Sequence, residues 1–267
     1  MPAIIAIPAF KDNYIWLIRH GGNAAVVDPG DAAPVFEVLA REQLALTAIV
    51  TTHHHADHVG GNVALLARHA VPVFGPAGEH IPGRTHALRE GDRIDVPGVA
   101  LTLDVLDVPG HTAGHIAYTG VNADGGADDG DPPILFCGDT LFAGGCGRLF
   151  EGTAGEMWSS LSKFARLPAA TRVYCAHEYT EANLRFATAV EPGNRELAAR
   201  VGVEAQMRER ALPTLPSTIG IELATNPFLR AGVPAVRAAA ETHAGTPLAR
   251  TVDVFAVLRE WKNAFRA

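Results

Sequence analysis

The chain has 267 residues, with 22 Lys and Arg against 29 Asp and Glu, for a formal net charge of −7 at neutral pH. That length can bury a substantial core, as one large domain or two modest ones. The acidic balance speaks against a nucleic-acid partner, because phosphate neutralisation calls for a basic surface; any anionic ligand must be held by a few local cations.

The N-terminus MPAIIAIPAFKDNY has no basic segment ahead of its short apolar run, and Pro2 and Pro8 interrupt that run, so no signal peptide is read. IIAIPA, YIWLIR and NAAVVD predict three successive strands. APVFEVLAREQ carries apolar residues at helical spacing, and LTAIVT (46–51) returns to a strand that delivers the segment TTHHHADHVGG. A helix is expected over GGNVALLARHA. Further strands are expected at VALTLDVLDV, HIAYTGV, PILFCGD and RVYCA, with a helix at GEMWSSLSKFARL between the last two. Beyond about residue 180 the pattern turns helical, through EANLRFATAV, NRELAARVGVEAQMRER, VPAVRAAAETH and DVFAVLREWKNAF, joined by Pro-rich and Gly-rich segments such as LPTLPSTIG. A β-rich unit followed by a small helical one is the natural division. NADGGADDGDPP (122–133) reads as a solvated acidic loop, since its aspartates do not match the spacing of a calcium-binding EF-hand. No apolar run approaches the length of a membrane span. Three cysteines without a CxxC spacing are expected to be reduced, with Cys137 and Cys175 as buried strand residues, and the chain is expected in the cytoplasm.

Four histidines and an aspartate fall within the six positions from His53 to His58. In an extended segment His53 and His55 point to the same side and converge on one ion. Asp57 and His58 lie a turn further on, within reach of a second ion, and His54 faces away. The spacing H-x-H-x-D-H is thus a half-site for two metals. The plainer reading is a histidine-rich loop or an adventitious metal site. His111 in VPGHTAGH, Asp139 in FCGDTLF and His177 in YCAHEYT each follow an apolar, strand-like run. Singly they read as hydrogen-bonded strand-end histidines and a turn or cap aspartate. Together they supply a third ligand for each ion and a carboxylate to share.

The order H-x-H-x-D-H, G-H-T, G-D-T and a late His resembles the metallo-β-lactamase superfamily, and within it the chain resembles glyoxalase II, the hydroxyacylglutathione hydrolases. The segments that carry the resemblance are THHHADHVGGN, PGHTAGH, GDTLFAGGCGRLFEGT, HEYTEANLRFA, EPGN, PST, NPFLR and LREWKNAF. The resemblance implies an α/β fold, a four-layer αβ/βα sandwich with a metal site at one edge of its two sheets, followed by a small C-terminal α-helical domain. It places the catalytic unit at 1–177 and a helical substrate-binding unit at 178–267. It also implies one ion held by His53, His55 and His111, another by Asp57, His58 and His177, and Asp139 bridging them. The two divalent metals implied are zinc first, with iron or manganese tolerated by a mixed nitrogen and oxygen set. Asp28 reads equally as a hydrogen-bonded support for a ligand imidazole and as an Asx-turn residue before Gly30.

For glutathione, the family pattern implies contacts from Arg148, Tyr179, Arg259 and Lys262. Arg259 and Lys262 by themselves read as a solvated helix face, being three residues apart. Phe150 stands where some relatives carry Tyr, which removes one hydroxyl contact. The remaining histidines, His20, His54, His69, His80, His86, His115 and His243, have no motif role. The implied reaction is hydrolysis of S-(2-hydroxyacyl)glutathione thioesters, S-lactoylglutathione to D-lactate and glutathione, in methylglyoxal detoxification. A dinuclear centre lowers the pKa of bound water from about 15.7 to about 7, and the hydroxide so formed attacks the thioester carbonyl, with Asp57 orienting it as well as ligating. One rival is a persulfide dioxygenase with a mononuclear iron site, against which NPFLR and LREWKNAF speak. The other is a non-catalytic metal-binding protein of the same fold, against which the full ligand set speaks. A monomer is expected, with a small-molecule thioester as its only partner and neither nucleic acid nor membrane.

Overall fold

In the computed structural model, which describes residues 2–122 and 132–266, the three N-terminal runs form an antiparallel meander. Its strands are β1 (Ala3–Ala9), β2 (Asn13–His20) and β3 (Asn23–Val27). Helix α1 (Ala32–Arg41) starts where the Asp31 carboxylate accepts from Ala33 N at 2.9 Å, and it returns the chain to β4 (Ala45–Val50), parallel to β3. The helix expected over 60–70 is shortened to α3 (Asn62–Leu66), and a separate helical turn, α2 (Ala56–Val59), precedes it. Gly60 and Gly61 separate them, and a side chain on either would strike the Gly30 and Pro29 carbonyls, so backbone packs directly on backbone where a continuous helix would need bulk. Two strands too short to show alternation, β5 (Val73–Pro76) and β6 (His86–Leu88), complete a sheet of order β1-β2-β3-β4-β5-β6.

A second sheet takes β7 (Arg93–Val96), β8 (Leu101–Asp107), β9 (Ile116–Asn122) and β10 (Ile134–Gly138). A small hairpin follows, β11 (Leu141–Phe142) with β12 (Gly145–Cys146), then α4 (Ala154–Phe164), opened by a Thr153/Glu156 capping box, and β13 (Arg172–Cys175), parallel to β10. The remainder is α5 (Thr180–Val190), α6 (Arg195–Glu209), β14 (Ser217–Thr218), α7 (Ile219–Thr225), α8 (Pro234–Ala244) and α9 (Thr251–Ala264). The stretch expected only to join helices thus contributes β14, which pairs with β13 and gives the order β14-β13-β10-β9-β8-β7. The acidic loop read over 122–133 lies almost wholly outside the described residues.

Strand parity sets the layers, because successive side chains leave opposite faces of a sheet. Ile15 and Leu17 pack with Val35, Val38 and Leu39 of α1, whereas Tyr14, Trp16 and Ile18 pack against the second sheet. That sheet also meets Met157, Leu161 and Phe164 of α4, and Phe186 of α5, Phe228 of the turn between α7 and α8 and Phe255 of α9 join the same cluster. The result is helix, sheet, sheet, helix, as the resemblance implied. Two polar ties cross the apolar interior: Trp16 Nε1 donates to Cys175 O at 3.0 Å and the Tyr118 hydroxyl to Thr51 O at 2.7 Å, so neither aromatic strands a polar atom in the core. Cys137 and Cys175 are buried free thiols in β10 and β13, and Cys146 is buried in β12. Among the described residues no helix is long and apolar enough to cross a membrane.

Because Phe255 is fully buried in the cluster that both the second sheet and the C-terminal helices share, Phe255→Ala should cost about 3–5 kcal/mol. Denaturant unfolding followed by circular dichroism should show one transition shifted as a whole. Early loss of helix alone, with the sheets unchanged, would contradict a shared core.

Candidate metal centre

The seven ligand candidates meet at one edge of the sandwich, delivered by the ends of four segments. β4 ends at Val50 and leads through Thr51 and Thr52 to His53, His55, Asp57 and His58; the β8–β9 loop carries His111, β10 ends before Asp139, and β13 ends before His177. His53, His55 and His111 offer nitrogens that all lie within 4.8 Å of one another, and so do the ligand atoms of Asp57, His58 and His177. His55 Nδ1 stands 3.1 Å from His53 Nε2 and 3.0 Å from His111 Nε2. Asp139 divides its carboxylate between the groups. Its Oδ2 lies 3.3 Å from His111 Nε2, while Oδ1 lies 3.4 Å from His58 Nε2 and 3.3 Å from His177 Nε2. Asp57 Oδ2 closes the second group, 3.6 Å from His58 Nε2 and 3.4 Å from His177 Nε2.

Outer contacts fix which ring nitrogen faces inward. His111 Nδ1 donates to the Arg148 carbonyl at 2.9 Å, and a carbonyl can only accept, so Nε2 keeps its lone pair for the centre. The Thr52 hydroxyl gives its proton to Asp28 Oδ2 at 2.7 Å and so accepts from His53 Nδ1 at 3.1 Å. Asp28 Oδ2 also lies 3.1 Å from His58 Nδ1, and Oδ1 accepts from Thr52 N at 2.7 Å. Of the two readings of Asp28, the support for a ligand imidazole is therefore realised, from a backbone at φ 52°. Asp12 Oδ1 faces His177 Nδ1 at 3.0 Å, and Asn13 Nδ2 donates to Asp57 Oδ2 at 2.9 Å. Neither was singled out from the sequence, where D-N between two strands reads as an ordinary turn. They arrive because the start of β2 bridges across to His177, with Tyr14 N donating to Ala176 O at 2.7 Å.

His115, left without a role by its motif, is buried behind the centre. Its ring stacks on His53 at 4.6 Å and its Nε2 accepts from Asp139 N at 3.2 Å. Gly138 precedes Asp139 at φ 48°, and a side chain there would run into Thr52 and the His115 ring, so the turn that aims the carboxylate requires glycine. His54 does face away from the centre, but it is not without partners: Nδ1 lies 3.0 Å from Glu79 Oε2 and Nε2 3.4 Å from Glu151 Oε1.

Electrostatics separate the two groups. Burial holds His53, His55 and His111 below the usual imidazole range, hence neutral and able to donate lone pairs. Burial opposes charge on His58 as well, but Asp139, Asp28 and Asp57 outweigh it and raise its pKa to about 9. His177 is raised in the same way, by Asp139 and Asp12 against burial. Asp139 is pushed far below the usual carboxylate range by His58, His177 and His111, despite its own burial. His58 Nε2 and Asp139 Oδ1 are buried without a hydrogen-bond partner, an arrangement that costs free energy unless a cation completes it. Five imidazoles and two carboxylates, with no thiolate, suit two divalent ions.

Beside the centre opens a cavity of about 530 Å³ that reaches from His111 and Asp139 to Arg148, Tyr179, Arg259 and Lys262. All four residues expected to touch substrate therefore line one space. Tyr179 stacks on the His177 ring at 4.7 Å, and Phe150 meets the His55 and His111 rings edge-on at 5.7 and 5.2 Å. Arg259 is buried, and its Nη1 donates to Cys146 O at 2.7 Å, so it fastens α9 to the β11–β12 hairpin as well as lining the cavity. Lys262 Nζ donates to Ala182 O at 2.8 Å; burial and then the neighbouring Arg259, Arg185 and Arg148 lower its pKa to about 8.

Residues 10–177 match the family model of the metallo-β-lactamase superfamily, and residues 178–265 match that of the hydroxyacylglutathione hydrolase C-terminus. The hydroxyacylglutathione hydrolase of Cupriavidus taiwanensis is 59% identical, the match covering 97% of this chain and 98% of that protein. The chain belongs to the hydroxyacylglutathione hydrolase family. Another relative of that name, from Pseudomonas aeruginosa, is 51% identical over 99% of this chain and 100% of its own length. Solved structures share the fold: a metallo-β-lactamase from Staphylococcus aureus has a TM-score of 0.61 at 22% identity, covering 94% of this chain and 69% of that one. ETHE1 from Myxococcus xanthus gives 0.56 at 26% identity, covering 86% and 98%. Membership in this family favours neither the mononuclear dioxygenase nor the non-catalytic reading.

The two histidine groups should load metal with different pH dependence. A cation entering beside His58 must displace a proton below pH about 9, and His177 is shifted in the same direction, whereas His53, His55 and His111 are shifted toward the neutral form that already offers a lone pair. Elemental analysis across a descending pH series should show two ions per chain falling to one before both are lost. Calorimetric titration in two buffers should detect proton release with the more pH-sensitive ion. Simultaneous loss of both ions with no proton release would contradict the asymmetry.

Proposed function

We propose that the chain hydrolyses S-(2-hydroxyacyl)glutathione thioesters, with S-lactoylglutathione giving D-lactate and glutathione, in methylglyoxal detoxification. The observation that carries this reading is the cavity itself, which joins a carboxylate-bridged histidine cluster to a patch of local cations on an otherwise acidic chain. An anionic peptide thiol needs the cations and its thioester carbonyl needs the cluster. The high identity to hydroxyacylglutathione hydrolases over nearly the full length supports the same substrate class.

His53, His55 and His111 would hold one divalent ion, Asp57, His58 and His177 the other, and Asp139 would bridge them, with zinc first and iron or manganese as alternatives. When bound, such ions supply Lewis acidity and lower the pKa of a coordinated water to about 7. Asp57, oriented by Asn13, accepts a hydrogen bond from the attacking water and so aligns it with the carbonyl. Phe142 and Phe150 give the reacting end apolar walls. Tyr179 remains protonated through the physiological range, because burial and the nearby Asp12 and Asp139 raise its phenol, and so serves as a donor to the peptide moiety. Arg148, Arg259 and Lys262 supply the charge that receives the glutathione carboxylates. The leaving group is a thiolate, which departs without a strong general acid. In this reading residues 1–177 form the catalytic unit and 178–267 the substrate-binding unit.

Purified protein should consume S-lactoylglutathione, lose that activity to a chelator and regain it when zinc or iron is returned. A fully metal-loaded protein that leaves the thioester intact would sink the glutathione assignment.

Lys262 sets an alkaline limit. Its free-enzyme pKa is about 8, so above that pH the cation that meets the substrate anion is progressively lost and kcat/KM should fall. Lys262→Arg should move this fall well above pH 9 with little change in kcat. A pH profile of kcat/KM identical in the variant would remove Lys262 from substrate binding.

A further inference from the structure

We infer that His54, Glu79 and Glu151 form a third divalent-cation site on the rim of the centre, separate from the seven residues described above and weaker than the pair they make. One ligand atom from each of the three residues lies within 4.8 Å of the others. One imidazole and two carboxylates make a donor set suited to a first-row transition ion such as zinc.

The carboxylates are held for this task. Glu79 Oε1 accepts from the Thr112 hydroxyl and from Gly114 N at 3.2 Å, and Glu151 Oε2 accepts from Ala113 N at 2.8 Å. Each glutamate thus spends one oxygen on the loop 112–114 and turns the other, Glu79 Oε2 or Glu151 Oε1, toward His54. Hydrogen bonds on the outer oxygen are how ligating carboxylates are oriented.

The state of Glu79 is the deciding observation. Its side chain is only 3% exposed, and Oε2 is buried with no hydrogen-bond partner although His54 Nδ1 stands 3.0 Å away. His58 Nε2 and Asp139 Oδ1 within the centre are likewise buried and unpartnered, and so is His58 Nδ1 beside Asp28 Oδ2; what sets Glu79 Oε2 apart from that last contact is a second carboxylate, that of Glu151, within 4.8 Å. Among the described residues, His54 is also the only ion-pair partner of either carboxylate, so two negative charges face each other without a Lys or Arg between them.

Exposure of the His54 and Glu151 side chains, 34% and 40%, leaves an ion here partly hydrated, so it binds after the pair is filled. An ion at this rim ties the segment that carries His53 and His55 to the loop that carries His111. The site takes metal whatever the substrate, so it stands apart from the thioesterase reading.

A competing arrangement is a protonated His54 clamped between the two carboxylates, each ring nitrogen serving one of them. Metal content distinguishes the two. The full-length protein would be equilibrated with graded zinc, and bound metal per chain would be measured by elemental analysis and by calorimetry. At saturation the wild type should bind one equivalent more than Glu151→Gln, whose surface position and retained acceptor for Ala113 N keep the fold intact. Glu79→Gln should lose the same equivalent, and cobalt in place of zinc should show one visible-absorption component absent from both variants. Equal stoichiometry in the wild type and both variants would overturn the proposal in favour of the clamp. Because the comparison is a difference, it holds however many ions the central pair retains.

Discussion

The carboxylate of Asp139 is the constraint from which the rest of the site follows. A charged group buried at the edge of two packed sheets is tolerable only if groups of opposite charge or hydrogen-bond donors surround it. This one hands one oxygen to His111 and the other to His58 and His177. Each of those histidines comes from a different segment, so the carboxylate holds its position only when both sheets are in register at the same edge. The left-handed backbone of Gly138, the buried ring of His115 and the inter-sheet ties of Trp16 and Tyr118 all serve that registration.

Around this group the protein builds opposite electrical environments at short range. His53, His55 and His111 are pushed toward the neutral form by burial and by one another, while Asp139, Asp28 and Asp57 hold His58 charged and Asp139 and Asp12 push His177 the same way. Beyond the centre the sign reverses: Arg148, Arg259 and Lys262 line one cavity, and burial, then the neighbouring arginines, depress the lysine. A chain of net charge −7 thereby presents a local positive field to an anion.

Much of this was legible in the sequence because ligand spacing is a local property. His53 and His55 two apart in an extended segment, and His111, Asp139 and His177 after apolar runs, signal convergence before any fold is known, and the family resemblance assigned them to ions. Supporting residues carry no such signal. Asp12, Asn13, Glu79 and Glu151 acquire their partners through contacts over long sequence separations, and singly each reads as a turn or surface polar residue. His54 was correctly read as facing away from the centre, but what it faces depends on where β5 and β6 bring Glu79. Those strands, with β14 and α7, escaped notice because they are too short for alternation or helical periodicity to register. The late start of the helix expected from Gly60 likewise depends on a neighbouring backbone that only the folded chain supplies.

The seven central donors all precede residue 178, whereas Arg259 and Lys262 ride on the last helix and Arg259 closes over the β11–β12 hairpin. Synthesis from the N-terminus therefore releases the whole donor set, with Arg148, while the edge strand β14 and the two cations of α9 are still to come. A growing chain meets cations before it can discriminate among anions. Chemical competence is encoded early and molecular recognition late, and the buried guanidinium of Arg259 is the bolt that joins them.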